Sequence, residues 1–328
     1  MFNRSARDND GAMSSNIEEA VRRQLATAVL MVRPAAFGYN SETALTNTMQ
    51  RPIDPAGAVI AAARAREEFD GFATALANLG VAVCVADDSP EPPKPDAVFP
   101  NNWLSFHADG TLVLYPMQAL SRRLERRQEV LDRVLELLGF RVTRVVDLTR
   151  HAAAGRYLEG TGSLVLDHVQ RLAYACLSPR THLSVVEEWA EALAYEPVVF
   201  SALDRGGVPL YHTNVLMSIG ARAIVVGSDA LAPDDRGRVL ERLRTSGREL
   251  IEIDQAQIER FAGNVLELRA RNGGGILVMS RSAREAFGPE ALAGLAASTG
   301  QLLTVDIPTI EQLGGGSARC MLAEVFSG

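Results

Sequence analysis

Residues 98–107, VFPNNWLSFH, are followed by the turn 108–110 (ADG), a second apolar run 111–117 (TLVLYPM) and the helical stretch 121–138 (SRRLERRQEVLDRVLELL). The order is strand, tight turn, strand, helix, with apolar alternation giving way to a helical period. The same order returns as EGTGSLVLDH, VQ, RLAYACLSP and HLSVVEEWAEAL over residues 159–193, and as YHTNVLMSIG, AR, AIVVGSD and DRGRVLERLR from residue 211. A fourth copy runs FAGNVLELRA, RNGG, GILVMS and REAFGPEALAGLAAS from residue 261. A fifth is split: SARCMLAEVF ends the chain, while ATAVLMVRP and the helical GAVIAAARAREEFDGFATALANLG stand near its start. Joining the two ends closes a ring of five units. Their spacing, about 50 to 60 residues, is longer than a solenoid repeat and suits a helix-backed propeller blade. The alternative is a plain α/β domain with hairpins.

Composition narrows the function. The chain has 328 residues, 47% of them hydrophobic, which is ample for a core. Its formal net charge of −7 carries no basic surplus, which argues against nucleic acid as partner and favours a small molecule. Three cysteines without a paired spacing make no disulfide framework and suit a reducing compartment. MFNRSARDNDGAMSS has no apolar leader core, and no apolar run reaches bilayer length, so no membrane partner and a cytoplasmic location are expected. Residues 1–25 are expected to be frayed or disordered. Oligomeric state is left open, a homo-oligomer included.

Aligning the units at the start of their first strand brings chemistry into one phase. That position holds Asn101 and Asn102, then Glu159, then His212 with Asn214, then Gly263 and Asn264, and finally Cys320. In a ring these positions converge near the axis. A thiol, an imidazole and a carboxylate in one concavity are the parts needed for nucleophilic catalysis by cysteine. Cysteine is more often a core residue than a nucleophile. Cys84 and Cys176, set in apolar strands, fit the core reading; Cys320, behind the loop GGGSAR, does not. Among the histidines, His107 and His168 sit by hairpin turns, His151 in a loop and His182 near a helix start, and all four are expected to be solvated. Only His212 has the right phase. Histidine and cysteine spacing offers no metal site, and no cofactor is expected. GGGSARC is not a phosphate loop, since it lacks the terminal Lys-Ser/Thr and leads into a strand.

At these residues the sequence resembles the pentein superfamily of guanidine-modifying enzymes, which includes arginine deiminases, dimethylarginine hydrolases and amidinotransferases. The matching pieces are MVRPAAFGYNSETALTN, PDAVFPNNW, SRRLERR, LEGTGSLVL, SPRTH, YHTN and GGGSARCM. The resemblance implies a five-bladed pseudo-symmetric ββαβ propeller of the α/β class, with residues 26–328 as one catalytic domain. It implies Cys320 as nucleophile, His212 as general acid and base, and Glu159 as the carboxylate partner of His212. It also matches Arg123 and Arg180 to positions that hold a substrate α-carboxylate, and Asp96 to one near the α-amino group.

One departure bears on substrate. Members that act on guanidinium groups usually carry acidic residues where this chain has Asn102, and often where it has Asn214. A planar cation binds carboxylates through paired charged hydrogen bonds, so two amides would leave it poorly compensated. A ureido group is neutral, and an amide supplies the donor its carbonyl requires. The expected substrate-contacting set is therefore Asp96, Asn101, Asn102, Arg123, Arg180 and Asn214. The overall pattern looks like the citrulline-hydrolysing branch, which forms ornithine, ammonia and carbon dioxide from citrulline. The rivals are a guanidine-modifying enzyme and, since the fold also occurs in a ribosome anti-association factor, a non-catalytic binding protein.

Overall fold

The computed structural model describes residues 18–326. Its strands form five three-stranded sheets. The first two strands, β1 (Ala28–Arg33) and β2 (Ala82–Asp87), share a sheet with the last, β15 (Ala323–Val325), in the order β15-β1-β2. The next sheets take consecutive triplets. They are β3 (Leu104–Phe106), β4 (Thr111–Leu114) and β5 (Arg144–Asp147); then β6 (Leu164–Asp167), β7 (Leu172–Cys176) and β8 (Glu196–Phe200). They continue with β9 (Met217–Ile219), β10 (Ala223–Val226) and β11 (Glu249–Glu252), and with β12 (Leu266–Arg269), β13 (Gly275–Ser280) and β14 (Gln301–Val305). In every sheet the middle strand runs antiparallel to the strand on one side and parallel to the strand on the other.

Parallel neighbours need a crossover, and each sheet has a helix in that place. These are α1 (Pro55–Asn78), α2 (Gln128–Leu138), α3 (Leu183–Leu193), α4 (Pro233–Arg244) and α5 (Pro289–Thr299). Their ends are encoded locally. Asp54 accepts a hydrogen bond from the Gly57 N–H at 2.6 Å ahead of Pro55, and Gly139 ends α2 with φ 66°. The architecture is thus the five-bladed ββαβ propeller, one blade of it built from both ends of the chain.

Period-2 alternation distributes the middle strands β1, β4, β7 and β13 between two neighbouring cores, whereas β10 packs within one. Val29 and Met31 of β1 pack in the cluster that holds Phe69, Phe72 and Leu76 of α1. Ala28, Leu30 and Val32 pack instead with Trp103 and Leu104 of the following blade. Each fully buried Val, Leu or Met side chain contributes about 1.5–3 kcal/mol. An exposed ion pair such as Arg33 with Asp70 contributes about 0–1 kcal/mol, so apolar faces shared between blades hold the ring together. The short first strands line the axis, where β15 packs against β3, β6 against β9, and β9 against β12.

Three expectations are corrected. The first strands begin at Leu104, Leu164, Met217, Leu266 and Ala323, later than the alternation suggested, because the residues before four of them form short helical turns and those before Leu266 a non-helical turn. At the other chain end, residues 18–24 are helical rather than frayed. The Gln24 amide nitrogen donates to Leu166 O at 3.0 Å and Ile219 O at 3.1 Å, and its carbonyl accepts from the His168 N–H at 2.9 Å. The remaining expectation of disorder falls on residues 1–17, outside those described. Lastly, His107 is buried rather than solvated: it shares a hydrogen bond with Ser105 Oγ at 2.9 Å beside Trp189, and burial lowers its pKa to about 4. His168 is half-buried against Phe326, with Nδ1 2.7 Å from Tyr195 OH. His182 caps α3 and His151 meets Glu188 at 2.8 Å.

Candidate active site

Four short turns precede axial strands: Pro100–Asn102, Gly160–Ser163, Thr213–Leu216 and Ala318–Met321. They nest against one another, Gly160–Ser163 touching both Pro100–Asn102 and Thr213–Leu216. Glycine permits the nesting. A Cβ on Gly160, whose φ is 50°, would lie 2.2 Å from Asn101 O. One on Gly263, in the fourth copy, would lie 2.4 Å from Val215 O. Backbones this close exclude any side chain, so EGTG and AGN are packing requirements of the ring.

Glu159 and His212 stand at the heads of two of these turns. His212 Nε2 lies 2.9 Å from Glu159 Oε2. The other carboxylate oxygen accepts from the Gln118 N–H at 2.9 Å, and Arg180 Nη1 approaches Oε2 at 3.5 Å. Burial pushes the Glu159 carboxyl up, but the Arg180 charge and the hydrogen bond from His212 outweigh it and hold it well below the usual range. Burial also dominates at His212, lowering it to about 4 against the opposing pull of Glu159. At neutral pH the pair is therefore a carboxylate and a neutral imidazole. Nε2–H donates to Glu159, and the free lone pair sits on Nδ1. A Cβ on Gly162 would lie 2.6 Å from that Nδ1 and 2.5 Å from Asn102 Nδ2, so Gly162 keeps clear the space they share.

Cys320 lies in the turn Ala318–Met321, just before β15 rather than on it. All three cysteines are buried, so exposure does not separate them. Surroundings do. Cys176 contacts only backbone oxygens, and burial raises its thiol to about 12; burial likewise raises Cys84. Cys320 Sγ instead meets two amide groups, with Asn264 Nδ2 at 3.3 Å and Asn214 Nδ2 at 3.6 Å.

Cys320 and His212 line one cavity with Asp96, Asn102, Arg122 and Arg180, closed down here to about 10 Å³, room for no more than a water molecule. Asp96 Oδ2 accepts from Asn40 at 2.8 Å and Thr43 at 3.1 Å, whereas Oδ1 is buried without a partner. Burial raises the Asp96 carboxyl against the pull of Arg122. Asn102 Oδ1 accepts from Arg122 Nη1 at 2.7 Å, and its Nδ2 is buried without a partner. Arg122 also grips Glu125 through two nitrogens, at 2.8 and 2.9 Å. Arg180 donates to Thr46 Oγ1 at 2.9 Å and Thr43 O at 2.6 Å, with its guanidinium over the Tyr211 ring.

Three expected contacts lie elsewhere. Arg123 is half-buried, donates to Met117 O at 2.9 Å and Gln118 O at 3.2 Å, and does not line the cavity; its neighbour Arg122 does. Asn101 is set behind the cavity, donating to Thr161 Oγ1 at 3.3 Å. Asn214 reaches Cys320 rather than the open space.

Sequence reasoning gave no role to Arg122, Glu125, Asn264 or the cover formed by Asn40, Thr43 and Asn47. The cover's signal was the piece FGYNSETALTN, quoted for its resemblance alone. Its Asn47 Nδ2 donates to Gly315 O at 3.3 Å, Gln50 Nε2 donates to Leu313 O at 3.0 Å, and Tyr211 OH also donates to Gly315 O. Cβ atoms on Gly314 and Gly315 would fall 2.7 Å from the Phe99 ring and 2.6 Å from Asn47 Nδ2. The three glycines thus admit neighbours to close range. Among the described residues, no group of three or more His, Cys, Asp or Glu could hold a metal ion, and no helix is long and apolar enough to cross a membrane.

Fold and family profile place the chain in the pentein superfamily. Residues 33–327 match the profile of the family described as N,N dimethylarginine dimethylhydrolase, eukaryotic, and the chain belongs to that family. No curated protein sequence matches. Among solved structures, the cyanobacterial arginine dihydrolase ArgZ of the ornithine-ammonia cycle is similar at TM-score 0.70 and 18% identity, over 92% of this chain. The chain spans 41% of that protein. It spans 98% of the separate N-terminal domain of ArgZ, seen bound to substrate, again at TM-score 0.70, 18% identity and 92% of this chain. The dimethylarginine hydrolase of Pseudomonas aeruginosa, solved with citrulline, is similar at TM-score 0.62 and 16% identity, over 92% of this chain and 99% of that one.

Proposed function

We propose that the protein hydrolyses the ureido group of citrulline, or of a close derivative, to ornithine, ammonia and carbon dioxide, with Cys320 as nucleophile. The observation that carries this reading is the buried, unpartnered Nδ2 of Asn102 on the cavity wall. A guanidinium only donates, so the Asn102 atom that faces Arg122 is the carbonyl oxygen. The amide is thereby fixed with its N–H groups at the unpartnered end, and in this reading they meet the ligand. A ureido oxygen accepts such a hydrogen bond; a guanidinium has only N–H groups to set against it.

In this reading the Cys320 sulfur attacks the ureido carbon, and Asn102 Nδ2–H donates to the oxygen as it gains charge. His212 Nδ1 takes the Cys320 thiol proton as the sulfur attacks and delivers it to the leaving nitrogen as the C–N bond breaks, while Glu159 holds the imidazole and stabilises its charged form. Water, deprotonated by His212, then cleaves the thiocarbamoyl intermediate. The unpartnered Asp96 Oδ1 suits the α-ammonium, and Arg180 the α-carboxylate. A neighbour on the same fold was solved with citrulline bound.

The second reading is hydrolysis of a guanidino compound. It is favoured by the family description and by Asp96, a carboxylate on the cavity wall. Side-by-side turnover of citrulline, arginine and N-methylated arginines decides: ornithine and ammonia from citrulline support the proposal. Turnover of arginine without citrulline refutes it.

A further inference from the structure

The Asn264 side chain is held in one orientation. Its Nδ2 lies 2.9 Å from the carbonyl oxygen of Asn214, which can only accept, so that end of the amide is the nitrogen. An amide nitrogen carries two hydrogens. One goes to Asn214 O, and the second is directed at Cys320 Sγ, 3.3 Å away, within the range for a hydrogen bond to sulfur. Asn264 is fully buried, so no water competes for either hydrogen.

The turn that presents it is equally constrained. Phe261 takes φ 62°, and Gly263 packs where a Cβ would meet Val215 O, so Asn264 enters the axis directly behind Cys320. His212 is neutral in the resting site, which leaves the sulfur without a neighbouring imidazolium.

We infer that Asn264 is a catalytic residue that donates its second Nδ2–H to the Cys320 sulfur and favours the thiolate as its proton leaves. The inference rests on the proposal that Cys320 is the nucleophile. Asn214 meets the sulfur through both amide atoms, Nδ2 at 3.6 Å and Oδ1 at 3.8 Å. A hydrogen bond to a charged acceptor is about twice as strong as a neutral one, so its loss is read most directly in the thiolate itself.

The test is alkylation of Cys320 by iodoacetamide across pH, without substrate, followed by mass spectrometry of the Cys320 peptide. The charged or titratable groups lining the cavity, Asp96, Arg122, Arg180, Tyr211 and His212, are common to every variant. For Asn264→Ala the pH midpoint of alkylation is expected to move up about one unit, so that the rate on the acid side of both midpoints falls about tenfold. Asn264→Asp, which keeps the shape but sets oxygen against sulfur, falls at least as far, and Asn264→Ser, which keeps a donor, stays closer to wild type. Because Asn264 also holds the Asn214 turn, the isosteric Asn264→Asp carries the test if Asn264→Ala fails to fold. Alkylation at the wild-type rate in a folded Asn264→Asp protein overturns the inference. Should alkylation respond as expected while wild type leaves citrulline untouched, the substrate proposal fails and the role of Asn264 stands.

Discussion

Asn102→Asp changes one atom that matters. The new carboxylate keeps an oxygen for Arg122 Nη1 at the present 2.7 Å, and it replaces the unpartnered Nδ2 on the cavity wall with a second oxygen. Arg122 already carries the Glu125 carboxylate, so the added charge is only partly compensated. For citrulline, the variant loses the donor to the oxygen that becomes negative in the transition state. Removal of one such donor costs about 10²–10³ in kcat. For arginine, the same atom becomes an acceptor for a guanidinium N–H, a charge-assisted bond of about 1.5–3 kcal/mol, or roughly tenfold or more in affinity. The ratio of kcat/KM for citrulline to that for arginine therefore falls by about 10³ or more. The assay is ornithine quantified by chromatography with ammonia by a coupled reaction, on both substrates, with circular dichroism melts to show an intact fold. A ratio unchanged within about threefold, in a folded protein, refutes the claim that Asn102 Nδ2–H reads the ureido oxygen.

Gly162→Ala places a Cβ 2.5 Å from Asn102 Nδ2 and 2.6 Å from His212 Nδ1, so citrulline turnover falls about 10²-fold or more. The control Gly71→Ala, on an open face of α1, leaves turnover unchanged in the same assay. The pH dependence follows from His212, whose neutral form is the base. Its acid limb in kcat/KM is expected near pH 4 rather than near the usual 6.5. Since the folded pKa lies below the unfolded one, its contribution to stability is intact above pH 6.5 and is lost as pH falls toward 4. Urea midpoints at pH 7 and pH 5 should therefore fall more for wild type than for His212→Asn. Equal falls would refute the burial argument.

Much of this arrangement is legible in the sequence, because a ring of similar units turns phase into position. Asn102, Glu159, His212, Asn264 and Cys320 were aligned by their place in the repeat, and they do meet at the axis. The turns that carry them were read as strand because LEGTGSLVL and YHTNVL alternate well enough; the close approach of Gly160 to Asn101 O is a property of two blades together. Arg122 and Arg123 are adjacent on one helical turn, so which guanidinium reaches the cavity depends on a rotation of about 100° that composition does not record. His107 looked solvated beside its hairpin, but α3 of the next blade lays Trp189 over it. Asn264 had the right phase, but its purpose emerges only from two distances to one nitrogen.

The most direct measurement is mass spectrometry of the Cys320 peptide after acid quench of the enzyme turning over citrulline. The account predicts a carbamoyl-type adduct on Cys320 with citrulline, absent from Cys84 and Cys176, and no turnover in Cys320→Ala. Turnover of citrulline by Cys320→Ala, or an adduct formed from arginine and never from citrulline, would contradict it.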